Sequence, residues 1–165
     1  MRRTISAVGL FGAGLLLGIL VTQPGTAQAD RIEGLRLNHV GVYAKDLNES
    51  LNFYTKVMGF QEAFSFKDKS GNPTTVYLQI NRDTFLELAA ATPERPAGLS
   101  HIGIWADDLN ATVAALRQRG VKVDDPRVGA SKSPLTNVMD PNGVRVELLE
   151  YGPESLQRKA MESWK

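Results

Sequence analysis

Two copies of one pattern run through the chain, and this duplication limits its fold more than any other feature. The first copy opens Leu37-Asn38-His39-Val40-Gly41-Val42-Tyr43-Ala44-Lys45-Asp46-Leu47-Asn48. The second opens Leu99-Ser100-His101-Ile102-Gly103-Ile104-Trp105-Ala106-Asp107-Asp108-Leu109-Asn110. His39 and His101 stand 62 positions apart, and so do Asp46 and Asp108. Whatever the first copy forms, the second should form again.

Each segment of the repeat has a physical reading. Val40-Gly41-Val42 and Ile102-Gly103-Ile104 are β-branched stretches bounded by polar residues, as strands are. Asp46 and Asp108 occupy helix N-cap positions, where a carboxylate accepts from free backbone N–H groups. Apolar residues follow at helical spacing: Leu47, Leu51, Tyr54, Val57 and Met58 in one copy, Leu109, Val113 and Leu116 in the other. Gly59 and Gly120 close the two helices. Three strands should follow each helix, over about 61–67, 74–81 and 84–90 in the first copy. In the second they fall at about 121–123, 135–140 and 144–151, with a tight turn at Asp140-Pro141-Asn142-Gly143. Each copy thus reads βαβββ, module one over about 36–91 and module two over about 98–151. Residues 92–98 link them. The tail over 152–165 predicts a helix with Leu156, Ala160, Met161 and Trp164 on one face, packed on its own domain.

The first 29 residues do not share this pattern. Arg2 and Arg3, an apolar run from Ala7 to Val21 and the ending Ala27-Gln28-Ala29 form the pattern of a secretory signal peptide. The apolar run is shorter than the roughly 20 residues that span a bilayer. Cleavage after Ala29 predicts an exported protein, periplasmic or secreted, that starts at Asp30 and has no stable membrane insertion. The paired arginines also fit a twin-arginine signal, but Thr4-Ile5-Ser6 matches the rest of one poorly. Without Arg2 and Arg3, 17 of the 19 basic residues face 18 acidic ones. No basic block remains, which excludes a nucleic-acid partner. The absence of cysteine excludes a thiol nucleophile and a thiolate metal site.

The chain has two histidines, both at the same place in the repeat. Each copy also ends in an apolar strand that carries a glutamate: Phe85-Leu86-Glu87-Leu88 and Val146-Glu147-Leu148. A carboxylate among apolar residues is rarely buried unless paired or bound to metal. One His and one Glu per module give four ligands when the modules lie side by side. Two imidazoles and two carboxylates suit Zn, Ni, Co, Mn or Fe as a divalent ion, and the set does not choose among them.

Taken together, His39-Val40-Gly41-Val42, Asp46-Leu47, Asn52-Phe53-Tyr54, Phe85-Leu86-Glu87-Leu88, Leu99-Ser100-His101-Ile102-Gly103-Ile104 and Asp140-Pro141-Asn142-Gly143 followed by Glu147 resemble a known group. It is the glyoxalase/bleomycin resistance/extradiol dioxygenase group, the vicinal oxygen chelate superfamily, and the resemblance covers about residues 36–151. It implies an α+β fold in which two tandem βαβββ modules pair into a curved mixed eight-stranded sheet around a metal site. It assigns His39, Glu87, His101 and Glu147 as metal ligands, leaves positions open for a small-molecule substrate, and implies a homodimer.

Extradiol dioxygenases of this type need a further catalytic histidine, which the chain lacks. Fosfomycin-modifying relatives use three ligands and would leave Glu87 spare, and methylmalonyl-CoA epimerases generally carry glutamine there. The full His-Glu-His-Glu set most resembles glyoxalase I. That implies a metal-dependent lyase or isomerase working through a metal-bound enediolate, with Glu87 or Glu147 as the catalytic base. Export argues for a vicinal-oxygen substrate other than a glutathione adduct. The rival reading is a non-catalytic protein that sequesters a drug or metabolite, as bleomycin-resistance relatives do, although those commonly lack the ligands. Strand alternation adds Arg145 as a hold for a substrate anion and Phe85 and Trp105 as an apolar wall.

Overall fold

Strands β1 (Leu35–Ala44) and β5 (Gly98–Ala106) pair antiparallel at the centre of one sheet. The computed structural model describes residues 30–165, of which Ile32–Lys165 form one compact unit. The expected export segment lies outside the described residues. Outward from the central pair the two modules repeat each other. Module one adds β2 (Gln61–Lys67), β3 (Pro73–Gln79) and β4 (Phe85–Ala90), and module two adds β6 (Arg127–Val128), β7 (Pro134–Met139) and β8 (Arg145–Leu149). The strand order is β2-β3-β4-β1-β5-β8-β7-β6. The pairs β1–β4 and β5–β8 are parallel and all others antiparallel, so the sheet is mixed and palindromic about its centre.

Side-chain alternation divides the sheet into two faces. On one face, Val76, Leu78, Leu86 and Leu88 pack under α1 (Leu47–Asn52), and Ala106 and Leu148 pack under α2 (Leu109–Gln118). Leu78, Leu88 and Leu109 are completely or almost completely buried. Each contributes about 1.5–3 kcal/mol relative to an exposed side chain. The opposite face carries Tyr77, Phe85, Glu87, Leu135, Glu147 and Leu149, the alternate residues of the same strands. Part of it is covered by α3 (Leu156–Ser163), whose Ala160 and Met161 pack on Tyr77, Phe85, Leu135 and Leu149. The tail helix therefore packs on its own chain. Among the described residues no helix is long and apolar enough to cross a membrane.

Two details differ from the sequence reading. The segment 121–123 is not a strand; the short strand is Arg127–Val128. The backbone of 121–123 is engaged by the end of α2: Val121 N–H donates to Leu116, and the Val123 carbonyl accepts from Arg117. Val123 is buried for its side chain, in the core beneath α2. The first helix also ends differently, in a π-helical turn over Phe53–Val57 that brings the Met58 N–H to the Phe53 carbonyl. That wider turn shifts the helical face. Leu47, Leu51 and Tyr54 stay against the core while Val57 and Met58 are exposed.

The repeated caps form as the sequence requires. Asp46 Oδ1 accepts from Glu49 N at 2.9 Å, and Asp108 Oδ1 accepts from Ala111 N at 2.8 Å. Asp46→Ala and Asp108→Ala should each lower the unfolding free energy by about 1 kcal/mol. Urea denaturation checks this, and an unshifted midpoint would show that the cap in question contributes nothing.

Candidate metal centre

The central strand pair places the two histidines. In its register His39 faces Gly103 and His101 faces Gly41. Each imidazole lies over the glycine of the other module. A Cβ on Gly103 would sit 2.1 Å from the His39 ring, and one on Gly41 would sit 2.2 Å from the His101 ring. The His-apolar-Gly motif is thus reciprocal: each copy supplies one ring and the space for the other. The rings meet edge to face with centroids 4.9 Å apart, and their Nε2 atoms are 2.8 Å apart. Both are buried, at 0% and 1% exposure.

Glutamates from the neighbouring parallel strands close the cluster. Glu87 Oε2 lies 3.3 Å from His101 Nε2 and 3.6 Å from His39 Nε2. Glu147 Oε1 is 3.7 Å from His39 Nε2. His39, Glu87 and His101 gather one ligand atom each within 4.8 Å of one another, a set that can hold a metal ion, with Glu147 at its edge. All four residues come from one chain.

The residue before each histidine orients it. Asn38 Nδ2 donates to the Asp83 carbonyl, which leaves its Oδ1 to accept from His39 Nδ1 at 2.9 Å. That partner assigns the Nδ1–H tautomer and turns the His39 Nε2 lone pair inward, as ligation requires. His101 Nδ1 lies 3.0 Å from Ser100 Oγ and 2.8 Å from Arg145 Nη2. Arginine can only donate, so in this arrangement His101 carries its proton on Nε2 and donates it to His39. The chain Arg145–His101–His39–Asn38 satisfies every member without a cation. An ion would take the place of the one proton between the rings, and the donor set of two imidazoles and two carboxylates fits a divalent transition metal.

Electrostatics separates the residues further. Burial holds the His39 pKa down at about 4, against the opposing charge of Glu87. Burial also pushes the Glu87 carboxyl up, but His101, His39 and Tyr77 outweigh it and leave Glu87 below the usual carboxylate range. At Glu147 burial prevails and raises the pKa. The two carboxylates are supported unequally. Tyr77, opposite Glu87 in register, donates its hydroxyl to Glu87 Oε2 at 2.5 Å. Opposite Glu147 stands Asn137, whose Oδ1 is buried with no hydrogen-bond partner.

The residues expected to contact substrate separate into two groups. Arg145 lines a cavity of about 280 Å³ together with Glu87, His101 and Glu147. Phe85 is fully buried beneath α3 and offers no surface. Trp105 lines a different cavity with Tyr151 and Met161, and the Arg36 guanidinium covers its ring at 4.1 Å. Alternation gave the face of these two aromatics correctly but not the helix that covers it. The wall at the cluster is formed instead by Phe66, Tyr77 and Leu135, with Arg127 and residues 129–131 opposite. Asn38 and Ser100 were legible as polar residues at one repeat position in apolar strands. Tyr77 and Arg127 have no such signal.

A sequence model of the Glyoxalase/Bleomycin resistance protein/Dioxygenase superfamily matches residues 36–148, and the chain belongs to that superfamily. It is 29% identical to the uncharacterized protein YaeR of Escherichia coli K12, over 70% of this chain and 95% of that protein. It is 26% identical to a probable chloroplastic lactoylglutathione lyase of Arabidopsis thaliana, over 93% of this chain and 46% of the plant protein. Mitochondrial methylmalonyl-CoA epimerase of Dictyostelium discoideum is also 26% identical, over 84% and 87%. Among solved structures, Streptomyces coelicolor methylmalonyl-CoA epimerase with 2-nitronate-propionyl-CoA superposes with a TM-score of 0.61 at 27% identity, covering 73% of this chain and 96% of that one. Both a lyase and an epimerase are thus among its relatives.

Two outcomes follow from the seam and its burial. Gly103→Ala should destabilise the fold by about 1–3 kcal/mol through overpacking against His39, and much less in a His39→Ala background; a double-mutant cycle by chemical denaturation measures this. Between pH 6.5 and about 4 an unfolded His39 takes up a proton that the folded one refuses. Stability of the metal-free protein should therefore fall on acidification through that window, by about 3 kcal/mol in all, and level off below it. Denaturation at several pH values should show this component in wild type and not in His39→Gln.

Proposed function

We propose that the chain is a metal-dependent lyase or isomerase of the glyoxalase type, acting on a small substrate with two neighbouring oxygens. The observation that carries this reading is the convergence of four buried or half-buried ligand atoms from one chain, centred on two Nε2 atoms 2.8 Å apart. An ion held by His39, Glu87, His101 and Glu147 would supply Lewis acidity to the substrate oxygens, making a proton on the adjacent carbon acidic. The remaining work belongs to the protein.

Glu147 is the residue that moves this proton. Glu87 is tethered by the Tyr77 hydroxyl, whereas His39 Nε2 and Arg145 Nη1 lie 3.7 and 3.8 Å from Glu147, beyond hydrogen-bond distance. A carboxylate free to tilt can take the proton from carbon while the electron pair passes to the neighbouring carbonyl oxygen. It then returns the proton to the same or the adjacent carbon and is regenerated. Arg145, at the cavity wall, faces the charge that develops on oxygen. Tyr77 keeps Glu87 in place throughout.

The purified chain, dialysed after loading, should retain about one equivalent of a divalent transition metal by elemental analysis. Glu87→Ala and His101→Ala should lose it or hold it far more weakly. A wild-type protein that stays metal-free under replete conditions would sink the reading in favour of a small-molecule sequestering protein. A Glu87→Ala variant that binds as well as wild type would sink it in favour of a three-ligand enzyme.

A further inference from the structure

We propose that the substrate is a small free acid, a 2-oxo or 2-hydroxy carboxylate, whose charged end is held between Arg127 and Arg145; this rests on the metal-centre reading above. Charge is the first reason. Glu87 and Glu147 offset a divalent ion between them, and both arginines line the same cavity with no other acidic residue on its wall. Arg127 forms no ion pair with any carboxylate among the described residues. A chamber that keeps two guanidiniums beside a neutralised metal cluster is built for an anion.

The second reason is the position of Arg145. Without metal it donates to His101 Nδ1 at 2.8 Å, and Ser100 Oγ is 3.4 Å away. Once His101 Nε2 serves as a ligand, its proton must reside on Nδ1, where it can donate to Ser100 Oγ. Arg145 then loses His101 as an acceptor, because two donors cannot pair, and keeps only the long contact to Ser100 Oγ. Within the chamber the one remaining protein carboxylate near it is Glu147, 3.8 Å from Nη1, which is itself committed to the cluster. Loading the site therefore releases Arg145 from His101, and an incoming carboxylate can engage its guanidinium in two parallel hydrogen bonds.

Size narrows the class. The cavity of about 280 Å³ lies just below the roughly 300–1,000 Å³ range of small-molecule pockets. Its outer wall is fixed rather than open to expansion. Leu156 N–H donates to the Ser131 carbonyl, and Ser133, buried beside residues 129–131, hydrogen-bonds to Ser155 Oγ and Gln157 Oε1. The start of α3 thus pins residues 131–133, next to the chamber wall at 129–131.

Oxalate, an acid with neighbouring oxygens, serves as the probe, and hydroxyacetone as its neutral counterpart. Calorimetry on the zinc-loaded chain should show oxalate binding well ahead of hydroxyacetone. Arg127→Gln and Arg145→Gln should each weaken oxalate by about tenfold or more while zinc remains at one equivalent. Arg145→Lys should restore only part of the affinity, since lysine cannot form the paired bonds. Oxalate binding unchanged in both glutamine variants with zinc still bound would overturn the inference and leave the metal centre standing. A wild-type chain that takes up no zinc would overturn both, and zinc stoichiometry tells the two failures apart.

Discussion

Among the described glycines, the two with least room for a side chain are those that face the histidine of the opposite strand. Two buried rings at the centre of a sheet have no room unless the residues facing them lack side chains. The repeat meets this condition twice with one motif, because an antiparallel seam brings His39 to Gly103 and His101 to Gly41. Neither glycine has a positive φ, so backbone freedom is not what they supply. They supply space. Once the seam is set, the parallel partners β4 and β8 must carry Glu87 and Glu147 to the same face, since Gly41 pairs with Glu87 and Gly103 with Glu147. A single register thus fixes all four candidate ligands.

This is why so much was legible from sequence. The duplication defined both modules, the positions of the helices and the residues that converge, because all of these are properties of one repeated unit and its alternation. What escaped was what the repeat does not carry. Residues 121–123 have strand-like composition, but their backbone partners belong to the end of α2, and composition does not reveal hydrogen-bond partners. A π-helical turn displaced Val57 and Met58 from a face that a regular helix would have buried. Phe85 and Trp105 were assigned the correct face, yet α3 lies outside the repeat and covers that face first. Tyr77 and Arg127 are single events in one module.

Those single events are where the modules diverge in role. A perfect repeat would give two equivalent carboxylates. Instead Glu87 faces a tyrosine that donates to it, and Glu147 faces an asparagine with which it forms no hydrogen bond. One carboxylate is stabilised as an anion and held; the other resists ionisation because burial disfavours its charge. The proposed division of roles, one glutamate holding an ion and the other relaying a proton, would draw on this inequality. At the position opposite each glutamate the repeats differ, Tyr77 in one strand and Asn137 in the other, and the two histidines add to the support of Glu87.

The C-terminal helix completes the division of labour. A bare sheet would expose Tyr77, Phe85, Leu135 and Leu149 as one apolar surface next to the ligands, a surface suited to large apolar partners. By covering these residues with Ala160 and Met161, α3 leaves open the part of the face that carries the cluster and the arginines. Its first turn also anchors residues 131–133, so the same element that hides the apolar area positions the polar wall. The repeat thus builds the candidate ligands, and the segments added to it shape the cavity beside them. The lining there is mixed, with Arg127, Arg145, Glu87 and Glu147 standing beside Phe66, Tyr77 and Leu135.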